Sequence, residues 1–238
     1  MTARIPASTV KKKSSPKELS ARADEILVRL KKLNPNPHCE LYYETPYQLL
    51  LSVVLSAQAT DKSVNAAVTD LYKNGLTVDD VIALGEKGFL EKIRRIGLAP
   101  TKAKNSVKLS QIIKDKFNGE IPTTREDLES LPGVGRKTAS VILGEIFREP
   151  TLAVDTHVFR VTRRLGLHKS PTPEKAEQKL LSVINPKWLP MAHHWFILHG
   201  RYTCLARGPK CGICTLNDFC TSKDKVTSQT PAKSKRAK

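Results

Sequence analysis

Apolar residues recur at three- and four-residue intervals along nearly the whole chain, the spacing of a buried helix face rather than of a strand. From Leu49 to Ala57 they run almost without interruption, broken only by Ser52 and Ser56, which predicts a helix buried on most sides. Helix starts carry their own marks. Thr45-Pro46-Tyr47-Gln48 and Thr123-Thr124-Arg125-Glu126 have capping-box spacing, and Thr172-Pro173-Glu174 pairs a cap with a proline at the first helical position. The pattern predicts helices near 18–33, 46–58, 61–73, 77–83, 86–95, 101–117, 124–131, 136–147, 156–165, 173–184 and 189–199. Val158 to Val161 would pass for a strand in isolation, but Arg160, Arg163 and Arg164 interleaved with Val158, Val161 and Leu165 fit a helix better. There is no run of alternating strands with hairpin turns and no solenoid repeat. The expected fold class is all-α.

One stretch breaks the periodicity. Gly208, Pro209 and Gly212 forbid a regular helix, and around them Cys204, Cys211, Cys214 and Cys220 fall in a C-x6-C-x2-C-x5-C run within 17 residues. Four thiolates closing on one centre suit a soft metal or an iron–sulfur cluster. The spacing is not the paired C-x2-C of zinc ribbons, which favours a cluster over zinc. Whatever binds must also supply folding energy to this segment. The fifth cysteine, Cys39, stands apart and reads as a small packed or surface residue.

A second local signal lies upstream, at Leu131-Pro132-Gly133-Val134-Gly135. The glycines allow a tight turn leading into a helix whose first N–H groups are free, a favourable seat for a phosphate. Such a turn grips a nucleic-acid backbone without reading sequence. Lys137 follows in the first helical turn, where the helix dipole and the neighbouring Arg136 disfavour a cation. A neutral lysine is a nucleophile able to form a Schiff base with an aldehyde-level carbon. Position alone leaves open whether Lys137 is that nucleophile or one more phosphate ligand. Asp155, before Thr156, reads by itself as an N-cap. His193, His194 and His199 lack H-E-x-x-H spacing and are expected to be structural, as is His157.

Charge sharpens the picture. The 238 residues contain 40 Lys and Arg against 23 Asp and Glu, a formal charge of +17. Residues 1–17 and 222–238 each carry +5, so about +7 remains on residues 18–221, enough for a basic face that would suit nucleic acid. Both tails are expected to be disordered, serving solubility or non-specific DNA affinity. No apolar leader or span-length apolar run is present, so a soluble, cytoplasmic protein without a disulfide framework is expected.

Four strings in order, Leu55-Ser-Ala-Gln58-Ala-Thr-Asp61, Leu131 to Ala139, Val154-Asp155-Thr-His-Val158, and His199-Gly-Arg-Tyr-Thr-Cys204 through Cys220, resemble the endonuclease III family of the helix-hairpin-helix superfamily, over roughly residues 18–221. The resemblance implies a two-lobed helix-hairpin-helix DNA glycosylase fold with a C-terminal iron–sulfur cluster loop. A six-helix barrel lobe would span 39–149. A cluster lobe would combine the helix at 18–38 with residues 150–221. It implies a bifunctional glycosylase and AP lyase that removes oxidised pyrimidines from duplex DNA, and acts on abasic sites, as a monomer at the bacterial nucleoid. Lys137 would attack C1′ of a flipped nucleotide, and Asp155 would be the catalytic carboxylate. Gln58 would fill the gap left by the flipped base, Leu98 would wedge opposite it, and Gly133, Val134, Gly135 and Arg136 would hold DNA. Cys204, Cys211, Cys214 and Cys220 would bind a 4Fe–4S cluster.

The chain departs from that family at Ala99-Pro100, where an aromatic residue is usual after Ile96-Gly97-Leu98. The change removes a possible stacking surface and stiffens the loop. Two rival functions remain in view. An adenine glycosylase of the same superfamily would normally lack the lysine and carry a long further domain, whereas this sequence has Lys137 and ends 18 residues after Cys220. A non-catalytic DNA-binding protein would have no need of both Lys137 and Asp155.

Overall fold

A computed structural model describes residues 15–226; of the tails expected at 1–17 and 222–238, residues 1–14 and 227–238 lie outside the described residues. It contains ten α-helices: α1 (Pro16–Leu33), α2 (Pro46–Leu55), α3 (Asp61–Lys73), α4 (Val78–Ile93), α5 (Ala99–Phe117), α6 (Arg125–Ser130), α7 (Arg136–Glu145), α8 (Thr156–Arg164), α9 (Pro173–Val183) and α10 (Leu189–Tyr202). Three 3-10 turns, Pro186–Trp188, Cys211–Ile213 and Asn217–Phe219, complete it, and no strand occurs among the described residues. None of these helices is long and apolar enough to cross a membrane.

The caps explain where the helices begin. Thr45, Thr60, Thr77, Thr124, Asp155 and Thr172 each accept a backbone N–H from the first turn that follows, satisfying one donor that the helix itself leaves unpaired. In α6 the cap is Thr124 rather than Thr123, because Asp127 rather than Glu126 answers it, the Thr124 hydroxyl donating to Oδ2 at 2.7 Å. The helices expected at 77–83 and 86–95 form one run, α4, in which Gly85 leaves helical torsions at φ 61° and ψ 178°. The N-terminal tail is shorter than expected. Ser15 and Glu18 form a full capping box, so residues 15–17 belong to α1. At the other end Lys225 Nζ donates to the Asn217 carbonyl at 2.8 Å and Asp224 faces Arg164 at 3.6 Å, so the folded part continues past 221.

Buried apolar side chains form two cores. The first is built around α2, whose residues from Tyr47 to Leu55 are all buried. Val64, Val68 and Tyr72 of α3, Phe89 and Ile93 of α4, Leu109 and Ile113 of α5, and Ile142 and Leu143 of α7 close around it. Two polar groups on α2 are carried inside with partners. Gln48 Nε2 donates to the Leu76 carbonyl at 3.2 Å, and Ser52 Oγ to Tyr72 Oη at 3.0 Å. The second core joins α1, through Ala23, Ile26 and Leu27, to α8, α9 and α10, through Val161, Leu180, Trp195 and Phe196. The chain therefore starts in the second core, builds the first, and returns.

Polar bridges join the cores. Arg136 Nε of α7 meets Glu177 Oε2 of α9 at 2.8 Å. His194 of α10 meets Glu145 of α7 at 2.7 Å. Arg201, at the end of α10, pairs with Glu40 and with Asp61 of α3, the latter at 2.6 Å. These bridges ring the cleft described next.

Candidate active site between the two cores

The turn at 131–135 has a definite division of labour. Gly133 sits at φ +84°, and a Cβ there would come within 3.2 Å of Asn105 Nδ2 and Val54 Cγ1, so torsion and space both demand glycine. Gly135 is different. Its φ of −107° is open to any residue, and an added Cβ would meet nothing within 4 Å. Val134 turns its side chain into the first core, and its N–H donates to the Leu131 carbonyl, so neither is available to a ligand. Gly135 caps α7 without any side-chain hydrogen bond, which leaves the first N–H groups of that helix open. The Arg136 guanidinium pairs with Glu177, and of the four residues expected at this grip Gly133, Gly135 and Arg136 are exposed while Val134 is buried.

Lys137 is exposed and lies one residue further along α7. Asp155 is reached by a different route. The extended stretch 151–155 leads into α8, where Asp155 Oδ1 accepts the Val158 N–H at 2.7 Å. That contact is the N-cap its sequence position suggests, and it leaves Oδ2 without a protein partner among the described residues. Lys137 and Asp155 line the same pocket, together with Ser56, Val141, His193, Ile197 and others. Two residues 18 positions apart, one on each core's helix, are thus brought to one cleft.

The floor of the cleft is a polar network that sequence reasoning treated as packing. His193 Nδ1 donates to the Ala153 carbonyl at 2.7 Å, which fixes its tautomer. Burial, then the nearby His194, pushes its pKa down to about 4, so at neutral pH the ring is uncharged. Glu145 accepts from His194 Nε2 at 2.7 Å and from Tyr43 Oη at 2.9 Å. The hydrogen bond from His194 is the main cause that holds the Glu145 carboxyl down at about 2. Cys39 also lines the cavity, and burial pushes its thiol up to about 12, which keeps it a thiol rather than a nucleophile. Arg201 is half-buried between Glu40 and Asp61. His157 lies near the cleft as well, its Nδ1 3.2 Å from Arg160 Nη2. No sequence signal joined these groups, because their partners come from segments far apart in the chain.

Gln58 and Leu98 share an unusual feature. Both are non-glycine residues at positive φ, 53° and 61°, and both are exposed. Such torsions cost roughly 1–3 kcal/mol and gather at functional positions. The two tips are neighbours, since a Cβ on Gly97 would lie 3.7 Å from the Gln58 carbonyl oxygen. Leu98 presents 56 % of its surface as an isolated large apolar side chain beside α5. Ala99 corrects an expectation: its methyl is buried in the first core, so this position faces inward and does not present a side chain to the cleft. Pro100, in the first turn of α5, is the exposed neighbour of Leu98.

Cys204, Cys211, Cys214 and Cys220 all line one pocket, and all four are free thiols.

An all-helical pair of cores, a glycine turn opening an uncapped helix, and a lysine and carboxylate sharing the interlobe cleft define the architecture of the helix-hairpin-helix DNA glycosylases. A family model described as "HhH-GPD superfamily base excision DNA repair protein" matches residues 51–186. Endonuclease III of Escherichia coli (strain K12) is 48% identical over 206 residues, covering 87% of this chain and 98% of that protein. Endonuclease III of Rickettsia conorii is 49% identical over 197 residues, covering 83% of this chain and 94% of the relative. A solved non-covalent endonuclease III–DNA complex superposes with a TM-score of 0.80 at 40% identity, covering 85% of this chain and 95% of that one. The chain belongs to the endonuclease III family of base excision DNA repair proteins.

Proposed function

We propose that Lys137 is the nucleophile of a bifunctional DNA glycosylase and AP lyase acting on oxidised pyrimidines in duplex DNA, with Asp155 as its carboxylate partner. The observation that carries this reading is the shared cleft, lined both by an exposed lysine of α7 and by a carboxylate with one uncommitted oxygen. A structure of endonuclease III trapped in a covalent intermediate with DNA, 40% identical over 85% of this chain, supports it. The damaged nucleotide must leave the stack to reach the cleft. Lys137 Nζ then attacks C1′, the C1′–N bond to the base breaks, and the leaving base takes up a proton. The lysine nitrogen loses a proton, and its lone pair then opens the sugar ring: the C1′–O4′ bond breaks, O4′ takes up a proton, and a protonated Schiff base forms at C1′. Loss of a C2′ proton then expels the 3′ phosphate by β-elimination. The uncommitted Asp155 oxygen is placed to stabilise positive charge developing at the sugar.

The remaining roles are those that membership of the family implies. The open N–H groups of α7 at Gly135 and Arg136 take a DNA phosphate, Gln58 fills the vacated base position, and Leu98 wedges against the opposite strand. The first core is the barrel lobe and the second the cluster lobe. Cys204, Cys211, Cys214 and Cys220 hold a 4Fe–4S cluster. Four cysteines lining one pocket, in a spacing unlike the paired C-x2-C of zinc ribbons, support that reading. When bound, that cluster ties a loop lacking regular structure to α10, and with it Arg207 and Lys210. The protein works as a monomer on nucleoid DNA in the cytoplasm.

Borohydride trapping on duplex DNA carrying one thymine glycol tests the assignment. The intact protein is expected to form a covalent adduct and Lys137→Gln none, with DNA binding retained. An adduct of equal yield from Lys137→Gln would sink it.

A further inference from the structure

Arg164, the last residue of α8, is an interior cation on the cysteine loop. Its side chain is only 12% exposed. Nη1 donates to Cys204 Sγ at 3.4 Å and to the Leu205 carbonyl at 2.6 Å, while Nη2 donates to the Ala206 carbonyl at 3.3 Å. Its own backbone carbonyl accepts the Thr221 N–H at 2.8 Å, one residue after Cys220. One arginine therefore touches the loop at both ends. On the opposite wall, His199 of α10 places Nε2 3.6 Å from Cys214 Sγ, and its carbonyl accepts the Cys204 N–H at 2.7 Å. Both side chains line the cysteine cavity. Among the described residues no side chain donates to the sulfur of Cys211 or Cys220.

We propose that Arg164 and His199 are the hydrogen-bonding shell of the iron–sulfur centre, and that they raise its reduction potential by donating to two of its four sulfur ligands. The proposal rests on the reading that these cysteines bind a 4Fe–4S cluster. A thiolate that receives N–H donors releases less electron density to its iron, and a nearby cation favours the more negative, reduced state. Arg164 supplies both effects and His199 only the first, so Arg164 has the larger influence. Cys204 and Cys214 pack against the second core, whereas the Cys211 and Cys220 sulfurs receive no side-chain donor among the described residues. Neither residue touches the DNA cleft in this arrangement. Both are positioning residues that act through the thiolates.

Redox titration of the full-length protein, followed by electron paramagnetic resonance and visible absorption, tests this against Arg164→Met, Arg164→Lys and His199→Phe. Iron and zinc are quantified in each sample. Loss of the guanidinium is expected to shift the midpoint to more negative potential by about a tenfold change in the redox equilibrium, roughly 59 mV for a one-electron couple. Arg164→Lys, which keeps the charge without the planar fork, is expected to fall between. His199→Phe is expected to give a smaller negative shift. If Arg164→Met assembles no cluster, the other two variants decide, and unchanged midpoints in both overturn the proposal. Unchanged midpoints in iron-loaded variants overturn it while leaving the cluster reading intact. Zinc without iron in the intact protein overturns both.

Discussion

The two cores close in different ways. The first surrounds α2, a helix buried along its length, with apolar side chains drawn from α3 to α7, and needs nothing further to hold it. The second is closed by apolar packing only as far as α10. Beyond Tyr202, Leu216 is the single fully buried hydrophobic residue of the described chain, with Cys204, Cys214 and Phe219 partly buried beside it. A fully buried leucine contributes roughly 1.5–3 kcal/mol. Set against the entropy of ordering some twenty residues at about 1–2 kcal/mol each, Leu216 cannot fix this loop. Hydrogen bonds from Arg22, Arg29 and Arg164 help, but the four thiols must do the rest. The same enzyme thus joins a self-sufficient lobe to one whose last segment depends on what its cysteines bind.

The largest expected effect breaks this contrast directly. Cys211→Ser should abolish hydrogen-exchange protection across residues 204–226 while leaving α2 to α7 protected as before, because no apolar core remains to order the loop. Retained protection over that loop would show that it folds without its thiols. Next comes the bridge between the lobes. Glu145 and His194 side chains are each only 9% exposed, and removing one partner of a buried pair costs about 3–5 kcal/mol. Glu145→Gln keeps one hydrogen bond, so a loss of about 3 kcal/mol and a Tm lower by roughly 6–12 °C are expected. Its pH dependence has a definite sign. The carboxyl is held at about 2 against an ordinary 4.5, so its stabilisation is present above pH 4.5 and is lost as pH falls towards 2. Thermal unfolding across pH 2.5–6 should therefore bring wild type and Glu145→Gln together at the acid end. Parallel curves would show that the carboxylate charge is not what ties the lobes.

The first lobe was the more legible one, for the same physical reason. Its helices declare themselves by period and cap, and α2, α3 and α6 begin within a residue of the expected positions 46, 61 and 124. Gly85 was readable as a break, although the chain resumes helix at once on its far side. The cysteine run was equally plain, since spacing along the chain is all that a thiol set requires. What escaped was anything set by a contact between distant segments. Glu145 and His194 are 49 residues apart, and Arg201 and Glu40 are 161 apart. Each looked like an ordinary charge on an otherwise apolar face. Arg136 is the instructive case, because the sequence marked it as a phosphate ligand while α9 supplies Glu177 to claim its side chain.

The two glycines of the hairpin give the smallest and sharpest test, since they separate what the fold needs from what a ligand needs. Gly133 holds a torsion of +84° against Val54 and Asn105 of the first core, so Gly133→Ala should cost about 1–3 kcal/mol in denaturant unfolding. Gly135 has an ordinary torsion and empty space around it, so Gly135→Ala should change stability by less than about 0.5 kcal/mol. That open space is where a phosphate backbone would approach the uncapped start of α7. The methyl of Gly135→Ala should therefore weaken binding to undamaged duplex DNA several-fold, with no change in the salt dependence, because no charge is lost. Equal affinity for wild type and Gly135→Ala would mean that DNA does not approach α7 closely. The hairpin would then be a structural corner of the barrel lobe, and the grip would have to come from the other lobe.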